Sequence, residues 1–180
     1  MTAEKICDTV SRIKSRYDFS DVYSLCRDMH ILLLFYPMGD YEGACKGFFL
    51  LQSRIPSITV NSDLSESARR IVAAHELGHA VLHCRQAGTK AFRDFDVFDS
   101  RSAMEYEANL FAAELLIDDR ELADMLKGDI SFYDAARRLY VPPELLDFKL
   151  RAMKKRGCEA EPPMIAQSEF LKKMSVLPCE

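Results

Sequence analysis

The chain has 180 residues, 48% of them hydrophobic, and a formal net charge of −4. That size and composition suit one domain with an adequate core, and the acidic balance argues against broad attraction to nucleic acid. The longest apolar run, Ile31 to Tyr36, is far too short to cross a bilayer, so no membrane partner is expected. In chain order, helix-like segments near 3–16 and 20–29 precede a β region at roughly 31–36, 46–52 and 57–60. The β region is broken by Pro37, Gly39, Gly43 and Gly47. One longer helix is predicted over roughly 65 to 85, entered through Asp63-Leu64-Ser65 and carrying apolar residues at Ile71, Ala74, Leu77, Gly78, Val81 and Leu82. Residues Gln86 to Arg101 read as a loop rich in Phe and Asp. Helices then dominate from 102 to 156. From Gly157 onward the sequence reads as a tail with one short helix near 166–174. These patterns give an α+β expectation: a domain over 1–156, with a small sheet packed on the 65–85 helix and a helical C-terminal half, then a tail over 157–180.

The polar start Met1-Thr2-Ala3-Glu4-Lys5 reads as helix rather than as a signal peptide. Six cysteines, at 7, 26, 45, 84, 158 and 179, are scattered without a C-x-x-C pair. Reduced thiols in a cytoplasmic protein are the expectation.

The 65–85 helix carries His75-Glu76-Leu77-Gly78-His79, the H-E-x-x-H pattern. Residues i and i+4 share one helix face, so both imidazoles can reach one ion. Glu76, about 100° round from His75, is placed to hold a water and take its proton. Two neutral nitrogen ligands keep Zn²⁺ Lewis-acidic, while a carboxylate outside the ligand set acts as base. The preceding segment Ile55–Asn61 reads as a strand, and an edge strand can hold an extended substrate beside such a metal.

Catalytic zinc sites usually combine three side chains with one water, so a third ligand is required. The metzincin extension H-E-x-x-H-x-x-G-x-x-H fails, because its last two fixed positions hold Leu82 and Arg85. His83 continues the series but lies ~12 Å along the axis from His75, too far to share one ion, so it reads as a partly buried residue or as one that supports a ligand from outside the set. The helical stretch Ser102–Ile117 carries Glu105 and Glu107, which differ by ~200° around its axis, so only one can face a metal. Glu107 shares its face with Met104, Leu110, Phe111 and Leu115, where a carboxylate is costly unless paired or metal-bound. Glu105 shares its side with Asn109 and is more easily solvated. Glu107 is therefore the favoured third ligand, with Glu105 the alternative.

At these residues the chain resembles the ImmA/IrrE family of metallo-endopeptidases. The resemblance rests on Ile58-Thr59-Val60-Asn61, Ala74-His75-Glu76-Leu77-Gly78-His79, Glu105-Tyr106-Glu107-Ala108-Asn109-Leu110-Phe111-Ala112-Ala113-Glu114-Leu115-Leu116, and a closing piece at Asp134–Val141. It covers roughly residues 1 to 155. Ile117-Asp118-Asp119 departs from it, where many members carry Pro after the paired leucines. The resemblance implies a gluzincin-like cytoplasmic zinc peptidase, with the helix Glu before Ala-Asn as third ligand, which again points to Glu107. It also implies a helix-turn-helix repressor as substrate partner, whose cleavage relieves repression in mobile elements, prophages or stress responses.

The predicted site is thus His75, His79 and Glu107 on one Zn²⁺, with Mn²⁺ as a substitute, and Glu76 as base. Tyr106, Tyr133 and His83 are candidates for the oxyanion donor. Residues 129–156 could pass for a helix-turn-helix, with seven basic against four acidic residues. Arg137, Arg138, Lys149, Arg151, Lys154, Lys155 and Arg156 read better as a solvated face, or as a docking surface for the repressor, than as a DNA contact. The competing function is a non-catalytic zinc-containing antirepressor or DNA-associated regulator that works by binding.

Overall fold

In the computed structural model, residues 1–84, 99–127 and 130–157 are described, with the backbone alone for 99–102. The chain opens with two helices, α1 (Ala3–Tyr17) and α2 (Val22–Asp28). Three strands follow, β1 (Leu32–Tyr36), β2 (Gly47–Gln52) and β3 (Ile55–Asn61), then helix α3 (Glu66–Leu82). The rest is helical: α4 (Asp99–Leu116), α5 (Asp119–Lys127), α6 (Phe132–Arg138) and α7 (Pro143–Lys155). This is the expected α+β arrangement, a small sheet followed by helices. The last residues of the predicted loop, from Asp99, belong to α4. Residues 86–98 of that loop and the predicted tail helix near 166–174 lie outside the described residues.

Local chemistry sets the helix starts. Asp21 accepts backbone N–H bonds from Tyr23 at 2.8 Å and Ser24 at 3.0 Å. Ser65 caps α3 through Ala68 N–H, and Ser131 caps α6 through Asp134 N–H. α7 begins at Pro142-Pro143, where the missing N–H groups fall among the orphan donors of a first turn.

The sheet has the order β1-β3-β2, with β1 parallel and β2 antiparallel to β3. Ile58 and Val60, both fully buried, share an inner face with Phe49. Asn61, also fully buried, ties the β1–β2 connection to the end of β3. Its amide donates to the carbonyls of Gly39 and Cys45, at 2.8 and 2.9 Å. Its Oδ1 accepts from the N–H groups of Met38 and Asp63, at 3.1 and 3.0 Å.

Helix α3 lies between β2–β3 and α4, and α4 packs in turn on α1 and α7. The α3–α4 approach is unusually tight. A Cβ built on Gly78 would sit 3.1 Å from Ala108 Cα and 3.2 Å from its carbonyl oxygen. Only a hydrogen at position 78 lets α4 come this close, and that approach delivers α4's side chains to the two histidines.

The basic face expected over 129–156 is partly internal. Lys149 is 1% exposed, and its ammonium meets Glu114 at 3.0 Å and Asp119 at 2.5 Å. Arg156 binds the same two carboxylates, each at 2.9 Å. Arg151 pairs with the buried Asp147 at 2.9 Å. Lys149 and Arg156 thus tie α7 to α4 and α5, while the Arg151–Asp147 pair lies within α7. Leu145, Leu146, Phe148, Leu150, Ala152 and Met153 bury α7 further, as suits a closing helix of the domain. Among the described residues, no helix is long and apolar enough to cross a membrane.

Candidate metal centre

His75 and His79 leave α3 one turn apart and bring their Nε2 atoms to 3.1 Å from each other. Both residues are buried, with 4% and 5% of their surface exposed. The carboxylate of Glu105 on α4 closes the group, one oxygen 3.2 Å from His75 Nε2 and the other 3.3 Å from His79 Nε2. Among the described residues, His75, His79 and Glu105 form the group able to hold a metal ion. An ion with ligand bonds of about 2.0–2.1 Å in tetrahedral geometry needs donors about 3.3 Å apart. The spacing of this trio fits that requirement.

The orientation of the rings strengthens the fit. Asn109, fully buried one turn beyond Glu105, places Oδ1 2.8 Å from His75 Nδ1. A carbonyl oxygen can only accept, so His75 carries its proton on Nδ1 and turns the Nε2 lone pair inward. An inward lone pair beside a carboxylate is a set of acceptors that requires a cation. Burial alone would raise the Glu105 carboxyl, but the two imidazoles beside it, His75 and His79, outweigh that effect and hold the group below the usual carboxylate range.

Glu107, the third ligand expected from the apolar stripe, stands elsewhere. Its Oε2 lies 3.0 Å from His83 Nε2, and its other oxygen meets the Met1 amine. The stripe argument took Asn109 as the mark of a solvated side. In the fold, the second half of α4 is buried all round, from Ala108 to Leu115. Asn109 marks the side that faces α3, and Glu105 shares it. The cost of burying Glu107 is met by pairing rather than by coordination: burial pushes its carboxyl up, but the Met1 amine and His83 prevail and hold it below its ordinary value.

Glu76 is 9% exposed and lies where β2 starts. A Cβ built on Gly47 would fall 3.6 Å from Glu76 Cγ and only 2.5 Å from Val72 Cγ1. Position 47 therefore tolerates no side chain without a shift of Val72 and of the Thr59 carbonyl, which would lie 2.9 Å from that Cβ. Gly47 brings the β2 backbone directly against the motif helix. β2 is an edge strand, hydrogen-bonded to β3 on one side, whereas Ile55–Asn61, the segment expected to offer the edge, is the central strand, paired on both sides.

The three oxyanion candidates are spread out. Tyr106 packs its ring on Phe148 of α7, with Lys155 Nζ 5.9 Å from the ring centre. Tyr133 is 60% exposed on α6. His83, 3% exposed, sits at the end of α3 with Nδ1 3.1 Å from His79 Nδ1. Burial pushes the His83 imidazole down, against the opposing effect of its Glu107 bond. Sequence reasoning missed the Asn109–His75 and Glu107–His83 pairs. The i, i+4 spacing of Glu105 with Asn109 was the signal available for the first.

Comparison with known proteins places the chain in a peptidase family. The family model of a peptidase group, described as the IrrE N-terminal-like domain, matches residues 26–151. The chain is 33% identical over 140 residues to immunity region protein 2 of Bacillus phage phi105, covering 78% of this chain and 85% of that one. It is 28% identical over 151 residues to the metallopeptidase ImmA of Bacillus subtilis (strain 168), covering 83% and 86% respectively.

Proposed function

The chain belongs to the ImmA/IrrE family of metallopeptidases, and on that premise we propose that it is a zinc endopeptidase that cuts a helix-turn-helix repressor. The observation that carries the reading is the convergence of His75 Nε2, His79 Nε2 and the Glu105 carboxylate within 3.3 Å. These three hold the ion, with Glu105 taking the place first expected of Glu107. When bound, Zn²⁺ (or Mn²⁺ in its stead) supplies Lewis acidity to the scissile carbonyl and makes water a better nucleophile near neutral pH.

The chain's own residues do the rest. Glu76 takes the proton of the attacking water and passes it to the leaving amine. The outer edge of β2 aligns an extended peptide by strand addition, with Gly47 holding that strand against the helix that carries Glu76. Lys154 and Lys155, with Tyr106 and Arg151, line a depression of about 310 Å³, a docking place for acidic groups of the repressor. Arg156 takes no part in docking, because Glu114 and Asp119 engage it.

A repressor as substrate gains support from the phage relative, which is named for an immunity region. The cytoplasm is the compartment in which such a substrate is met. In the competing reading the chain is an antirepressor that works by binding alone. A purely structural ion gains nothing from a carboxylate base at position 76, which favours the enzyme. The test is incubation of purified protein, Zn²⁺ and a helix-turn-helix repressor from the same genome, read by mass spectrometry. Two fragments meeting at one bond support the enzyme. A stable complex with intact repressor supports the antirepressor instead.

A further inference from the structure

We propose that His83 and Glu107 are positioning residues that act on the metal site through His79, by fixing which of its nitrogens carries the proton. The inference deepens the proposed function, resting on the reading of His75, His79 and Glu105 as the ligand set. Its geometry is a chain of three side chains leading away from that set. Glu107 Oε2 lies 3.0 Å from His83 Nε2, and His83 Nδ1 lies 3.1 Å from His79 Nδ1. His79 Nε2 faces His75 Nε2 and Glu105.

With neutral rings, only one proton arrangement satisfies both the Glu107–His83 and the His83–His79 contacts. A carboxylate accepts and has nothing to donate, so the proton of His83 belongs on Nε2, facing Glu107. His83 Nδ1 is then a lone pair and accepts from Nδ1–H of His79. That leaves the Nε2 lone pair of His79 directed at Glu105 and His75, as a metal ligand needs. The opposite arrangement puts a proton on His79 Nε2, which blocks coordination, and sets the His83 Nε2 lone pair against a carboxylate oxygen.

Glu107 and His83 thus do for His79 what Asn109 does for His75 at 2.8 Å. The chain also accounts for two features that the catalytic assignment leaves over. One is a histidine buried to 3% exposure too far along α3 to share the ion. The other is a carboxylate on the inward side of α4 that belongs to the His83 pair rather than to the ligand trio.

The test reads the proton directly. Nitrogen-15 imidazole spectra of the metal-free wild-type protein, at mildly alkaline pH, resolve four histidines. The expected pattern is His79 protonated at Nδ1 and His83 at Nε2. His83→Phe, which keeps a ring but no acceptor, should release His79 to a mixture of both forms. The same substitution should weaken zinc binding by ~10–100-fold, the usual effect of losing such a partner. Glu107→Leu should do likewise, while Glu107→Gln, whose amide oxygen still accepts from His83, should restore both readouts to near the wild-type values.

His79 protonated at Nε2 in the wild-type protein would overturn the proposal, and so would wild-type zinc affinity in folded His83→Phe and Glu107→Leu. If those variants do not fold, the wild-type spectrum decides alone. The expected tautomers in a protein that binds no zinc would uphold this chain of contacts while removing the proposed peptidase function. The two failures are therefore distinguishable.

Discussion

Replacing Glu105 and Glu107 by alanine, one at a time, separates a side chain in contact with the ion from one that acts through a histidine. Glu105 offers both oxygens to the histidine pair, at 3.2 and 3.3 Å. Zinc bound by a protein site gains about 10–16 kcal/mol, so one ligand in four accounts for roughly 3–4 kcal/mol, or about 10²–10³ in affinity. Glu107 touches His83 rather than the ligand trio, and losing such a partner weakens binding by only ~10–100-fold. Competition against a chromophoric zinc chelator gives both affinities on one scale, with circular dichroism melts to confirm that the variants are folded. Glu105→Ala should bind zinc about tenfold more weakly than Glu107→Ala, by the difference of those two ranges. The reverse order would refute the geometry, because it would require α4 to be rotated by about half a turn from the arrangement described.

Three further outcomes follow from the same contacts. Glu76→Gln should retain zinc, since position 76 lies outside the ligand set, and lose ~10²–10⁴ of peptidase rate, as measured by repressor cleavage under single-turnover conditions. Gly78→Ala should weaken zinc binding, because the new methyl meets the Ala108 backbone at 3.1–3.2 Å and pushes α4 back by a few tenths of an ångström, while the ~1 kcal/mol of helix propensity gained offsets part of the strain in urea unfolding. Unchanged zinc affinity in the folded variant would deny the tight helix crossing. Asn61→Leu strands the N–H of Met38 and the carbonyls of Gly39 and Cys45, so it should destabilise by roughly 2–4 kcal/mol in urea unfolding.

Periodicity made the elements legible because each spans enough residues to show its repeat. The helix predicted over 65–85 runs Glu66–Leu82, and the strand predicted at 31–36 runs Leu32–Tyr36. His75 and His79 were equally legible, since i, i+4 spacing alone puts them on one face. The third member of the trio was not. An apolar stripe identifies the buried side of a helix only when the other side is wet. The second half of α4 is enclosed by α1, α3 and α7, so apolar residues surround it and carry no direction. Asn109 looked like a surface residue for the same reason. Lys149 was misread alongside it, because nothing local shows that Glu114, 35 residues earlier, waits across the core to bind it. Polar groups that find partners through tertiary contact leave no periodic trace. In this chain they are the ones that build the site.

The assignment of the metal centre is tested most directly by diffraction from crystals of the zinc-loaded protein, recorded on both sides of the zinc absorption edge. The account predicts one anomalous peak per chain, bonded at about 2.0–2.2 Å to Nε2 of His75, Nε2 of His79 and the Glu105 carboxylate. Glu107 would remain on His83. A peak bonded to Glu107 in place of Glu105, or no peak between the two histidines, would contradict it.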